Sequence, residues 1–138
     1  PKFYFFDTGV LNVASGAFNE MQTQDWNGIL FENFIFNELQ SYIHYTQKRG
    51  QLYYWSTPGQ SEVDFIWVSA EGKIVAVEAK VSAKFKSEFT KGIRSFSEEK
   101  KVDKKIIVYN GTSEMKTDEI KAFPVMIFLK LLWSGKIL

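Results

Sequence analysis

Asp64 in "EVDF" and Glu78 and Lys80 in "VEAK" have the types and spacing of groups that work on phosphodiesters. Two β-rich runs, 61–69 and 73–81, flank Ala70-Glu71-Gly72, which reads as a hairpin turn with Gly72 where φ > 0 is needed. Folding the ribbon there places Asp64 opposite Glu78 and Glu62 opposite Lys80. A one-residue slip would send the two sets to opposite faces, so the register is constrained. Like charges facing each other destabilise a sheet, and a buried carboxylate without a partner is costly. The pair therefore calls for a cation. Mg²⁺ or Mn²⁺ suits it, because such ions accept one or two carboxylates and keep other positions for water and phosphate oxygens. Asp64 and Glu78 are the expected metal ligands, with a backbone carbonyl near Ala79 as a third donor. Lys80, on the same face, is placed to deprotonate a bound water or to neutralise charge developing on phosphorus.

The elements that must carry these groups follow from periodicity. "KFYFF" reads as a short strand, and residues 27–45 as a helix whose apolar arc is interrupted by Glu32 and Glu38. Either glutamate could reach the strand site. Arg49-Gly50 supplies a helix stop. Residues 51–56 form a strand, then come the ribbon, a helix over 86–101, a strand over 104–110, and a possible short strand in "EIKAF". Pro124 opens a closing helix that runs to Trp133. A three-stranded meander, a crossover helix and a further strand predict a single α/β domain, a sandwich with a mixed central sheet flanked by helices.

Composition narrows the chemistry. The 138 residues include no cysteine and one histidine, His44, which excludes disulfides, thiolate zinc sites and two-histidine mechanisms. His44 falls on the polar arc of its helix and reads as a solvated residue. Asp7 reads as a turn or cap residue, and Tyr53, Tyr54, Trp55 and Trp67 as core. No apolar run nears the roughly 20 residues that span a bilayer, so no membrane contact is expected, and the lack of cysteine fits the cytoplasm. Charge is segregated: residues 1–79 hold four Lys/Arg against nine Asp/Glu, whereas residues 80–105 hold nine against four. Lys84, Lys86, Lys91 and Arg94 follow the "VEAK" strand directly and are the expected phosphate contacts. A chain that starts at Pro1 without an initiator Met reads as a piece of a larger protein.

Glu in a first helix, Asp in a strand and Glu-x-Lys in the next strand resemble the signature of the PD-(D/E)xK nuclease superfamily, with Val63 in place of its proline. That resemblance implies a restriction-endonuclease-like αβββαβ core, with Asp64 and Glu78 as metal-binding acids, Lys80 as the catalytic lysine and Glu32 as the first-helix glutamate. "KFYFFDTGV", "LFENFIFNEL", "YYWSTPGQSEVDF", "VEAK" and "FLKLLWSGKI" together look like a C-terminal domain of unknown function in a large prokaryotic family of AAA+ ATPases. This implies an ATPase motor upstream in the same chain, since no G-x-x-x-x-G-K-[ST] motif occurs here. Two functions are expected: a Mg²⁺- or Mn²⁺-dependent nuclease acting on DNA, or a catalytically silent nuclease-like domain. The silent domain would bind nucleic acid or a protein partner and regulate the ATPase.

Overall fold

Alternating apolar runs near the middle of the chain become the strands of one six-stranded sheet, and the amphipathic segments become helices on both of its faces. The computed structural model describes Lys2, Tyr4, Phe5, Asp7 and residues 24–138. In chain order these hold α1 (Gln24–Thr46), β1 (Gly50–Ser56), β2 (Glu62–Ser69), β3 (Ile74–Lys80), a 3₁₀ turn (Ser87–Thr90), α2 (Lys91–Glu99), β4 (Lys104–Tyr109), β5 (Met115–Thr117), β6 (Ile120–Pro124) and α3 (Val125–Trp133). The sheet order is β1-β2-β3-β4-β6-β5. β1, β2 and β3 are antiparallel neighbours, β3, β4 and β6 run parallel, and β5 returns antiparallel on β6. This is a mixed α/β fold with an αβββαβ-type core.

Period-2 alternation sorts the strand residues between two cores. Phe65, Trp67, Val75, Val77, Ile106 and Val108 pack beneath Ile35 and Leu39 of α1 and Phe128 and Leu132 of α3. Ile66, Ala76, Ile107 and Tyr109 face the other way, onto Phe89, Ile93 and Phe96 of the 3₁₀ turn and α2. Because helices cover both sides, β3 and β4 are apolar on both faces, as strands inside a sandwich must be. The crossover from β3 through α2 to the parallel β4 covers the second face.

Several boundaries differ from the sequence expectations. α1 ends at Thr46 with Gln47 in the left-handed region (φ 52°), and Lys48 N–H closes the helix on Ile43 O at 3.1 Å. Gln47 is thus the helix stop, and Gly50 instead opens β1. The single helix expected over 86–101 is a 3₁₀ turn followed by a shorter α-helix. β5 was not foreseen, because three residues at a sheet edge carry no readable alternation. Pro124 is the last residue of β6 and the N-cap of α3, extended at φ −52°, ψ 143°, not the first helical residue. Of the strand expected in "KFYFF", Phe3 and Phe6 lie outside the described residues, and Lys2, Tyr4 and Phe5 are not in a strand. Trp67 is core at 2% exposure, but Tyr53 (51%) and Tyr54 (45%) lie open on the edge strand, contrary to expectation. His44 is exposed.

Candidate functional site

The β2–β3 ladder pairs Phe65 with Val77 through to Val68 with Ile74, the register expected from a turn at Gly72, whose φ is 80°. Past Phe65 the backbone ladder gives way to carboxylates. Asp64 N–H donates to Glu78 Oε2 at 3.3 Å, and Ala79 N–H donates to Asp64 Oδ2 at 2.9 Å. The two acids stand in for main-chain acceptors and hold each other in place, at 2% and 3% exposure. A β-bulge explains why the strand departs here. β1 pairs Tyr53 with Ile66 and Trp55 with Val63, so Tyr54 alone faces both Asp64 and Phe65. Alternation breaks, and Val63 joins Ile66 on the α2 side. Such bulges re-aim one side chain at the end of a ladder, here Asp64.

Lys80 Nζ lies 2.6 Å from Glu78 Oε1. From the other side of the pair comes Lys2, whose Nζ is 2.8 Å from Asp64 Oδ1, 3.0 Å from Glu32 Oε1 and 3.8 Å from Glu62 Oε2. Tyr4 Oη donates to the same Glu32 oxygen at 2.6 Å. Glu32, Glu62, Asp64, Ala79, Lys80 and Lys86 line one cleft of about 470 Å³. It opens at the carboxyl end of β3, where a parallel sheet offers its binding crevice.

The electrostatics follow from burial beside like and unlike charges. Burial, then the Asp64 carboxylate, pushes the Glu78 carboxyl up to about 8, with the Lys80 ammonium pulling the other way. Burial works against charge on Lys80, but Glu78 and then Asp64 outweigh it and raise its pKa above the usual lysine value. The same balance holds for Lys2, where Asp64 and Glu32 overcome burial and strengthen the ammonium. Burial and the Glu32 hydrogen bond keep Tyr4 a neutral phenol.

Glu38 lies apart from this cluster, accepting a hydrogen bond from Trp133 Nε1 at 3.0 Å. Of the expected phosphate contacts, Lys86 reaches the cleft, while Lys84 and Lys91 are exposed nearby in sequence. Arg94 is bound to Asp118 at 2.5 Å and lines a different cavity with Lys105 and Glu119. Asp7 is exposed. Sequence reasoning missed Lys2 and Tyr4, and set Glu62 opposite Lys80 without giving it a role. One signal was present: Lys2 is the sole Lys or Arg before Lys48, in a stretch carrying Asp7, Glu20, Asp25, Glu32 and Glu38.

The donor set suits a divalent cation of the Mg²⁺ type in one respect. Asp64 and Glu32 already draw a cation into the cleft, and such an ion asks for only one or two carboxylates. Among the described residues no group of three or more Asp, Glu, His or Cys is arranged to hold a metal ion. The protein would thus supply two carboxylates, and water or phosphate oxygens the rest. Also among the described residues, no helix is long and apolar enough to cross a membrane. Comparison with curated proteins and with solved structures yields no match. Residues 27–128 match a family described as "Domain of unknown function (DUF4143)", a span that carries Glu32, Glu62, Asp64, Glu78 and Lys80 together, and the chain belongs to that family.

Proposed function

We propose that this domain is a nuclease of the PD-(D/E)xK type that hydrolyses phosphodiesters, most readily those of DNA, with Mg²⁺ or Mn²⁺, downstream of an ATPase motor in the cytoplasm. The observation that carries this reading is the convergence of Glu32, Asp64 and Lys80 on one cleft, with buried Glu78 locked to both Asp64 and Lys80. Asp64 and Glu78 would hold the ion. When bound, it would polarise the phosphate and lower the pKa of a ligating water. Lys80, kept as an ammonium, would offset the negative charge that grows on the phosphoryl oxygens. Lys86 at the cleft mouth would fix the neighbouring phosphate.

The decisive experiment combines a thermal melt with a cleavage assay on single-stranded, duplex and branched DNA. Mn²⁺ at a hundred times its Kd should stabilise the native protein by about 2.7 kcal/mol. Asp64→Asn should lose both the thermal shift and cleavage. Lys80→Met should keep the shift and lose cleavage by a factor on the order of 10² or more. A Lys80→Met protein that cuts as well as wild type would remove Lys80 from the chemistry, and a wild type that cuts none of these substrates with Mg²⁺ or Mn²⁺ would remove the nuclease reading.

The sequence also suggested a silent domain that docks a partner and regulates the ATPase, and one observation favours it. The cation between Asp64 and Glu32 is the chain's own Lys2. The silent domain binds nucleic acid or a protein partner, and a domain with no affinity for DNA or RNA would leave the protein-docking reading in the lead. Affinity for duplex DNA should fall with added salt by about 0.9 in log K per log [salt] for each phosphate contact. Replacing Lys86 and Lys91 with Ala should flatten that slope by roughly two units, while Arg94→Ala should leave it nearly unchanged because Arg94 is tied to Asp118. Equal slopes in all three proteins would move the interface elsewhere.

A further inference from the structure

We propose that the segment bearing Lys2, Tyr4 and Phe5 is a built-in competitor of the divalent cation, with Lys2, held by Asp64 and Glu32, capping the Asp64 oxygen that the ion would ligate until the ion displaces it. This rests on the metal-binding reading above and adds a regulator to it. Asp64 Oδ1 is the outward oxygen of a carboxylate whose other oxygen is spent on Ala79 N–H. Lys2 Nζ sits 2.8 Å from that outward oxygen. An ammonium and a divalent ion cannot both sit at bonding distance from one oxygen without strong repulsion, so one must leave. The ammonium is delivered by specific contacts rather than by chance contact of a flexible lysine. Asn33, itself 2% exposed, accepts Phe5 N–H at 2.8 Å and donates to Phe5 O at 3.1 Å. Asn37 donates to the same carbonyl at 2.9 Å. Tyr4 stacks on Phe36 with ring centroids 4.1 Å apart and holds Glu32 through its hydroxyl.

Two asparagines one helical turn apart thus grip the main chain as a neighbouring strand would, and the grip sets where Lys2 ends. The segment is clamped at Phe5 and plugged at Lys2. Releasing either end should free the site.

The test is calorimetric titration of Mn²⁺ into the 138-residue chain and its variants, with amide exchange at Phe5 as a structural readout. Lys2→Met should bind Mn²⁺ more tightly than wild type by about tenfold, the equivalent of one ion pair no longer broken on binding. Asn37→Ala, which touches no acid, should tighten binding several-fold, and it answers the question if Lys2→Met folds poorly. In wild type, saturating Mn²⁺ should speed exchange of the Phe5 amide, and Asp64→Asn should abolish that effect. Equal or weaker Mn²⁺ binding by both Lys2→Met and Asn37→Ala overturns the competition while leaving the metal site standing. Failure of every protein, wild type included, to bind Mn²⁺ or Mg²⁺ overturns both.

Discussion

Gly92→Ala should cost the fold about 3 kcal/mol and lower its Tm by roughly 10 °C. Helix propensity alone argues the reverse, since Ala is better than Gly in a helix interior by about 1 kcal/mol. Packing decides the sign. A Cβ at position 92 would meet the carbonyl oxygen of Glu62 at 1.8 Å and its carbon at 2.9 Å. Both atoms are backbone, so no rotamer change relieves the overlap; α2 or the start of β2 must move. Glu62 stands two residues before Asp64, so the close approach of α2 also fixes the strand end that aims the buried acid. Gly28 gives the control. It lies in α1, and its Cβ would sit an ordinary 4.0 Å from Val81 Cγ1. There Gly28→Ala should stabilise by about 0.5–1 kcal/mol, as propensity dictates. Urea unfolding of the two variants beside wild type measures both numbers, and a stabilised Gly92→Ala would show that α2 does not rest on Glu62.

Glu78→Gln should become the more stable protein as pH rises, with a gain of about 2 kcal/mol over wild type near pH 8.5 in the presence of a chelator. The Glu78 carboxyl titrates near 8 in the fold against an ordinary value of 4.5, because it is buried beside Asp64. The folded state therefore binds more protons than the unfolded chain between those values. The stabilisation from this group is fully present below about 4.5 and is lost as pH climbs through 8. The whole shift, in which the opposing pull of Lys80 is already contained, sets an upper bound of about 4–5 kcal/mol at 1.36 kcal/mol per unit. Gln resembles the protonated acid, so the two proteins should have similar stability below about pH 4.5, diverge progressively between pH 5 and 8, and run parallel above that. Parallel stability curves across pH 5–9 would mean that Glu78 stays ionised throughout, held by Lys80.

Much of the ribbon was legible in the sequence, for a local reason. Two β-rich runs joined through a glycine turn admit one register that keeps Phe65, Trp67, Val75 and Val77 on a common apolar face. That register alone makes Asp64, Glu78 and Lys80 neighbours. Glu32 was set on a helix lying across the same sheet, and periodicity placed it off the polar arc. Element order and the mixed sheet followed from the alternation of strand and helix patterns. Signals that depend on fewer residues were weaker: the three-residue β5 and the helix stop at Gln47 have no local signature strong enough to identify them.

What only the tertiary structure decided are contacts between distant parts of the chain. The bulge opposite Tyr54, in the pairing of β1 with β2, breaks the period-2 rule at Asp64 itself. The β2–β3 ladder ends at the Phe65–Val77 pair, short of the Asp64–Glu78 and Glu62–Lys80 pairs that the register implies, and the two carboxylates become acceptors for main-chain N–H groups in place of facing each other across a ladder. Lys2 and Asp64 are 62 residues apart, and no pattern within either stretch encodes their contact. A local sequence specifies which side chains share a face. Which charge neutralises a buried carboxylate depends on the whole chain's packing, because the nearest cation in space is chosen by the fold and not by the sequence around the acid.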